Sequence, residues 1–256
     1  MPRLLVIAGS DSSGGAGIQA DLKTAQSFGV YAQTAVTAVT VQDTHKVHSV
    51  NPVSPGIVAA QIAAALNDIG ADVIKIGMLA NGEIAAAVAD ALEACEIPVV
   101  LDTVLLSSSG ARLLDEAGLA VLKKRLIRRS LVVTPNLPEA EALTGILPVS
   151  EHRLRNAAMV FKMLGGENVL FKGGHGEGDV VRDILWSGGE FIAFEAPRQQ
   201  TRHTHGTGCT LSTAIACGLA QGRDLRDAVA RAHVYVQQAI KTAPGFGQGR
   251  GPLNHG

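Results

Sequence analysis

Cysteine is scarce in this 256-residue chain, and its three cysteines are unevenly placed, at 95, 209 and 217. They form no CxxC pair and no metal-ligand spacing. That excludes a disulfide scaffold and a structural zinc site, and points to a reducing, cytoplasmic setting. An excess of one charge is missing too. The 22 Lys and Arg stand against 23 Asp and Glu, a net charge of -1, which argues against nucleic acid or an anionic membrane as the main partner. No long apolar run opens the chain. MPRLLVIAGSDSSGG has one basic residue and a short apolar stretch that ends in glycines, so it reads as a first strand rather than a signal peptide or membrane span. Two phosphate-binding signatures are absent as well. After Gly9 the glycines fall at 14, 15 and 17, which is not the dinucleotide spacing. No acidic residue follows in the expected way about twenty residues on, and there is no Walker A lysine. Linkers, internal repeats and low-complexity segments are also lacking.

What is present is apolar and glycine-rich. The chain is 46% hydrophobic but only 4% aromatic, with 29 glycines, a composition suited to buried Val, Ile and Leu strands joined by tight turns. Strand and helix patterns alternate along its length. Strands are expected at Arg3–Ala8, VIKIGM, PVVLD, LVVTP and NVLFK. Helices are expected over Ala16–Phe28, from Pro55 to near Gly70, after Asn81, over Asp115–Arg128 and Pro138–Leu143, and from Ser150 to Gly165. The β-branched alternation in TAVTAVTVQDTHKVHSV predicts extended structure that leaves the main sheet. DILW-SGG-EFIAFEA predicts an antiparallel hairpin on a sheet edge. Two helices close the chain, one after Cys209 and one over Asp224–Thr242, ahead of an irregular glycine-rich tail. This is a single α/β domain over 1–256: three layers, α/β/α, doubly wound, with a mainly parallel sheet and an antiparallel edge. Ligands belong at the C-terminal ends of such strands.

The most informative segment is THGTGCTLSTAIACG, Thr204 to Gly218, a glycine-rich turn running into an apolar helix. Gly206 and Gly208 let successive amides converge, and the helix start adds unpaired N–H groups and a positive dipole end. Gly206, Thr207 and Gly208 are therefore candidates for an anion hole. Cys209 at its mouth is expected to have a lowered thiol pKa, whereas Cys217 lies beyond the reach of the dipole and Cys95 behaves as a small hydrophobe. An ordinary loop-to-helix junction with a buried cysteine is the bland alternative.

Other unusual polar residues also follow strands. GSDSSGGAGIQAD, Gly9 to Asp21, reads as a loop that lets backbone approach a small flat ligand, with Gly9, Ala16 and Asp21 as candidate contacts. Gln42 offers an amide to an aminopyrimidine edge, or is simply a solvated strand end. Met78 either covers a ring face or fills core. Asp102, Asn136 and Glu139 supply hard oxygens of the kind Mg²⁺ requires near a phosphate, although Asn136 alone also suits a helix cap. Lys172 could neutralise phosphate charge or sit on the surface. His203 and His205 near Cys209 raise a Cys–His hydrolase as a competing class, one that leaves Asp102, Glu139 and Lys172 without a task.

Taken together, IAGSDSSGGAGIQADLKT, KIGML, TPNLPEAE, FKGGH, THGTGCTLS and the tail GxGxGPxNH resemble the hydroxymethylpyrimidine/phosphomethylpyrimidine kinases of thiamine biosynthesis, in the ribokinase-like superfamily. The resemblance spans the whole chain in order. It implies ATP-dependent phosphorylation of 4-amino-5-hydroxymethyl-2-methylpyrimidine, then of its monophosphate. Gln42 and Met78 then fall on the pyrimidine. Thr134, Asn136 and Lys172 fall on the ATP phosphates, Asp102 and Glu139 on Mg²⁺, and Cys209 at the catalytic position, where related sugar kinases carry a carboxylate. A homodimer and a monovalent cation also come with the resemblance. Thr103 and Asp43 depart from it, where many relatives have Pro and Asn. A pyridoxal kinase, or a silent pyrimidine-binding protein, are the alternatives.

Overall fold

The computed structural model describes residues 1–107, 110–174 and 178–256. His175, the last residue of FKGGH, and the start of the following GEGDVVRD, where only a small ATP-covering flap is expected, lie outside the described residues. At the centre is β1 (Arg3–Asp11), buried without a break from Leu4 to Gly9, as a strand covered on both faces must be. Its side chains alternate between two cores: Leu4 and Val6 enter one, Leu5 and Ile7 the other.

The remaining strands are β2 (Tyr31–Gln42), β3 (Val47–Pro52), β4 (Val73–Ile76), β5 (Val99–Leu101), β6 (Val132–Val133), β7 (Asn168–Phe171), β8 (Val180–Ser187) and β9 (Glu190–Pro197). All nine form one sheet in the order β3-β2-β1-β4-β5-β6-β7-β8-β9. The six strands β2, β1, β4, β5, β6 and β7 run parallel, while β3 pairs antiparallel with β2 at one edge and β8 pairs antiparallel with both β7 and β9 at the other. The sheet is thus mainly parallel, as expected. β2 differs from expectation, because its Tyr31–Val36 run pairs with β1 from Arg3 to Ala8 and stays in the sheet. A register shift between Ala8 and Ser10 carries the pairing on to Thr40, and only β3 folds back as the edge.

The helices are α1 (Gly17–Ser27), α2 (Pro55–Asn67), α3 (Gly82–Ala91), α4 (Glu116–Val121), α5 (Ile127–Arg129), α6 (Leu137–Thr144), α7 (Glu151–Met163), α8 (Thr207–Ala220) and α9 (Leu225–Lys241). Ala25 of α1, Ile215 of α8 and Ala232 of α9 join the Leu4–Val6 core. Val58 of α2, Ile84 of α3, Leu143 of α6 and Phe161 of α7 join the Leu5–Ile7 core on the opposite face. Asn81, Asp115, Asn136, Ser150 and Asp224 each accept a first-turn amide at their helix starts, as short polar side chains do at N-caps. Ser54 stands at the start of α2 without a side-chain bond, ahead of Pro55. The helix expected over Asp115–Arg128 is α4 and α5 joined by a π-helical turn, Leu122–Leu126. Gly188 and Gly189, at φ of 58° and 85°, turn β8 into β9, the positive angles that a tight hairpin demands.

Candidate active site

The parallel strands end along one side of the molecule, and a cavity of about 710 Å³ opens there. Each strand end delivers a residue to it: Gly9 from β1, Gln42 from β2, Met78 after β4, Asp102 after β5, Asn136 after β6 and Lys172 after β7. Ala16, Glu139 and the turn Gly206–Cys209 also line its wall.

The turn before α8 is built to leave amides unpaired. Gly206 caps α8 at φ 84°, and a Cβ there would collide with the Gly15 carbonyl oxygen, so only glycine fits against the first loop. Thr207 donates both its N–H and its hydroxyl to the Thr204 carbonyl, at 3.3 and 2.6 Å. It lines the cavity, but its donors are spent inside the turn. The Thr210 N–H closes on the Gly206 carbonyl at 2.9 Å, so the N–H groups of Gly208 and Cys209 are the ones that a first helical turn leaves open.

Facing that turn is a charged cluster. Lys172 Nζ lies 2.7 Å from Asp102 Oδ1 and 3.7 Å from Glu139 Oε2. A Cβ built on Gly208 would stand 3.4 Å from Lys172 Nζ and 3.7 Å from Asp102 Oδ2, so the open amides and the ammonium face the same small volume. Burial pushes the Asp102 carboxyl up, but Lys172 and Lys75 outweigh it and hold it below its ordinary value. Burial pushes Glu139 up, and there it prevails. For Lys172, burial favours the neutral amine, yet Asp102 and Glu139 overcome it and the ammonium persists. Asn136 and Glu139 form a reciprocal cap: Asn136 Oδ1 accepts the Glu139 N–H and Glu139 Oε2 accepts the Asn136 N–H, both at 2.8 Å. Glu139 Oε2 also accepts the Thr103 hydroxyl at 3.2 Å, a bond that proline at 103 could not make.

These residues fit a divalent cation that travels with a phosphate. Two buried carboxylates, Asp102 and Glu139, share one ammonium at the cavity, that of Lys172, whose side chain is 12% exposed. Among the described residues no group of three or more His, Cys, Asp or Glu could cage a metal by itself. Mg²⁺ commonly takes one or two carboxylates and fills its sphere with water and substrate phosphate, which is what Asp102 and Glu139 offer.

Three expectations need correction. Asp21 does not line the cavity. It is fully buried, with its two oxygens on Lys75 Nζ at 2.9 and 3.0 Å and the Thr213 hydroxyl at 2.6 Å, because an ion in that interior survives only when paired. Thr134 is likewise buried behind the wall, donating to Asp102 Oδ1 at 3.3 Å. The Cys209 thiol is not acidified. Burial pushes it up to about 11, with Asp21 and Asp102 adding to the shift against Lys75 and a Gly17 amide. The helix start supplies the expected dipole, but desolvation and two carboxylates outweigh it. Cys209 is a thiol at neutral pH.

Two residues matter that the sequence did not mark for this purpose. Asp11 Oδ2 accepts the Gly15 and Ala16 N–H groups at 3.1 and 2.8 Å, and both its oxygens accept the Ser13 hydroxyl. Burial opposes its charge, but His205 and Ser13 bring its pKa down to about 2. An ionised carboxylate can only accept, so His205 Nε2, 2.8 Å from Asp11 Oδ2, carries the proton. The Gln42 amide stands 3.2 Å from the same nitrogen through its Nε2 position. Two N–H groups cannot face each other, and amide ends are assigned from their partners. Gln42 therefore turns its oxygen to His205 and presents its NH₂ to the cavity. His205 is committed to Asp11 rather than to Cys209, so it is not the base that a Cys–His hydrolase would need. The signal in the sequence was Asp11 itself, a lone acid among small residues at a strand end. Its partner lies 194 residues away.

Open amides and a lysine that face one small volume, beside a slot for a flat acceptor, provide what phosphoryl transfer to a small alcohol needs. The doubly wound sheet that carries them is that of the ribokinase-like kinases. A family model described as phosphomethylpyrimidine kinase matches residues 11–254, and the chain belongs to that family. It is 43% identical over 255 residues to the hydroxymethylpyrimidine/phosphomethylpyrimidine kinase of Streptomyces coelicolor, covering 100% of this chain and 94% of that one. It is 48% identical over 254 residues to the thiamine biosynthesis bifunctional protein ThiED of Geobacter sulfurreducens, covering 98% of this chain but 52% of that protein, so it spans about half of that relative's length. Among solved structures, an ADP complex of Bacillus subtilis pyridoxal kinase superposes with a TM-score of 0.91 at 34% identity, covering 100% of this chain and 97% of that one.

Proposed function

We propose that the chain transfers the γ-phosphoryl group of ATP to the hydroxymethyl oxygen of 4-amino-5-hydroxymethyl-2-methylpyrimidine, and then phosphorylates the monophosphate so formed. The observation that carries this reading is the meeting of Gly208, Lys172 and Asp102 beside a cavity whose other end holds Gln42 and Met78. The Gln42 NH₂ donates to a ring nitrogen of the pyrimidine, and Met78 lies along the ring. Lys172 neutralises the transferring phosphate, while the Gly208 and Cys209 amides take its equatorial oxygens. Asp102, with Glu139, would hold Mg²⁺, which supplies further charge neutralisation when bound. Phosphoryl transfer runs through a loose transition state, so positioning counts for more than deprotonation of the acceptor. A neutral Cys209 suits that chemistry by orienting the hydroxymethyl group. A coupled ATPase assay with the pyrimidine, its monophosphate and pyridoxal side by side is the test, and turnover of pyridoxal alone would overturn the assignment.

Pyridoxal phosphorylation is the second reading, favoured by the similarity to the Bacillus subtilis pyridoxal kinase. For assembly we infer a homodimer. Val39 and Val41 stand 50% and 51% exposed on β2 next to the edge strand β3, an apolar pair that a second copy would cover. Light scattering that gives a monomer at micromolar concentration would refute it. Among the described residues no helix is long and apolar enough to cross a membrane.

A further inference from the structure

The cavity has an arm that neither the pyrimidine nor the phosphates use. Adjacent strands lie about 4.8 Å apart, so the site is laid out along the sheet: Gln42 on β2, Asp102 and Lys172 after β5 and β7, and beyond them Asp183 on β8 with the facing side of α9. With the acceptor at the β2 end and the phosphates fixed in the middle, the β8–α9 arm is where the rest of the nucleotide extends. Val181, Val236 and Ile240 give that arm apolar surface, and His233 and Gln237 line it as well.

The polar groups in this arm are unusual. Asp183 Oδ1 accepts the Gly173 N–H at 2.8 Å, and Asp183 Oδ2 lies 3.0 Å from His233 Nδ1. Nδ1 therefore donates to Asp183, and in a neutral imidazole with that proton placed on Nδ1 the other nitrogen, Nε2, is an acceptor. The His233 side chain is buried, and its Nε2 has no hydrogen-bond partner among the described residues; the same is true of Gln237 Oε1. Buried acceptors are rarely left unpaired. These two sit four residues apart on α9, which places them on one face of the helix. Two neighbouring acceptors are satisfied together by a single amine, because one NH₂ group has two hydrogens to give.

We propose that His233, held by Asp183, acts with Gln237 to read the base of the nucleotide, accepting from an exocyclic amine of the adenine type and rejecting a carbonyl in its place. This rests on the kinase reading above. A base with a carbonyl at that position would set a third acceptor against the two already there, so the preference has a repulsive as well as an attractive component.

The test compares ATP with inosine triphosphate, which differs at that position in carrying a carbonyl for the amine. Wild-type kcat/KM should favour ATP by at least about tenfold, a typical consequence of unpaired buried polar groups, and calorimetry should show ADP binding more tightly than inosine diphosphate. His233→Phe keeps the ring against Phe194, whose centroid is 6.3 Å away, but removes the acceptor; it should cut both preferences several-fold. Gln237→Leu, at a half-buried helix position, should do the same and guards against misfolding of the first variant. Equal use of the two triphosphates by the wild type overturns the proposal. So does an unchanged ratio in Gln237→Leu, the result expected if its amide merely turns over to donate to His233. Diphosphate calorimetry needs no pyrimidine, so a wrong acceptor assignment would leave the base preference intact and be told apart.

Discussion

Replacing Gly208 by alanine separates the work of the anion turn from its contribution to folding. Gly208 is the second residue of α8 and is not among the glycines held at positive φ, so alanine meets no backbone strain there. In a helix alanine is worth about 0.5–1 kcal/mol over glycine. For a chain of this size that raises Tm by roughly 1–4 °C. The new methyl, however, would stand 3.4 Å from Lys172 Nζ and 3.7 Å from Asp102 Oδ2, in the volume that a phosphoryl oxygen must enter to reach the Gly208 and Cys209 amides. Loss of one such donor costs about 10²–10³ in kcat. Gly208→Ala should therefore melt slightly higher than the wild type and turn over at least about a hundredfold more slowly in a coupled ADP-release assay. A variant that is more stable and fully active would refute the placement of the transferring phosphate between Gly208 and Lys172.

Three further outcomes are expected. Gln42→Leu should lower pyrimidine affinity by about 1–3 kcal/mol, roughly ten- to a hundredfold, with ATP binding nearly untouched; unchanged pyrimidine affinity in calorimetry would show that Gln42 does not contact the ring. Because the Cys209 thiol is pushed up to about 11, iodoacetamide should label it slowly at pH 7 and faster as pH approaches that value. Cys209→Ser should keep turnover within about tenfold, short of the roughly hundredfold or more that a lost acid–base group costs, and rapid labelling at pH 7 would restore the thiolate base. Burial, with Lys23 adding, brings His255 down to about 4, so its contribution to stability is complete above its ordinary value of 6.5 and is lost as pH falls from there toward 4. His255→Asn should flatten the fall in Tm across that window, whereas the contribution of Asp11, brought down to about 2, stays complete across it and is lost only as pH falls below its ordinary value of 3.8.

The sequence alone determined most of the framework. Short unbroken apolar runs closed by glycine, such as Leu4–Ala8, read as strands buried on both faces, and short polar residues ahead of α3, α6, α7 and α9 marked their starts because capping is local chemistry. The residues gathered around Lys172 were legible for the same reason: each stands just after an apolar strand, and parallel strands bring their ends to one side. Tertiary structure decided what those residues experience. Cys209 looked acidified because its helix start is visible in the sequence, but the carboxylates that overturn this come from Asp21 and Asp102, far away along the chain. Asp21 looked like a substrate contact until Lys75, 54 residues on, claimed both its oxygens. The polarity of Gln42 depends on a proton that Asp11 fixes on His205 across 194 residues. Caps and dipoles act within a turn or two of chain, whereas desolvation and charge act through space, and only the folded sheet sets those distances.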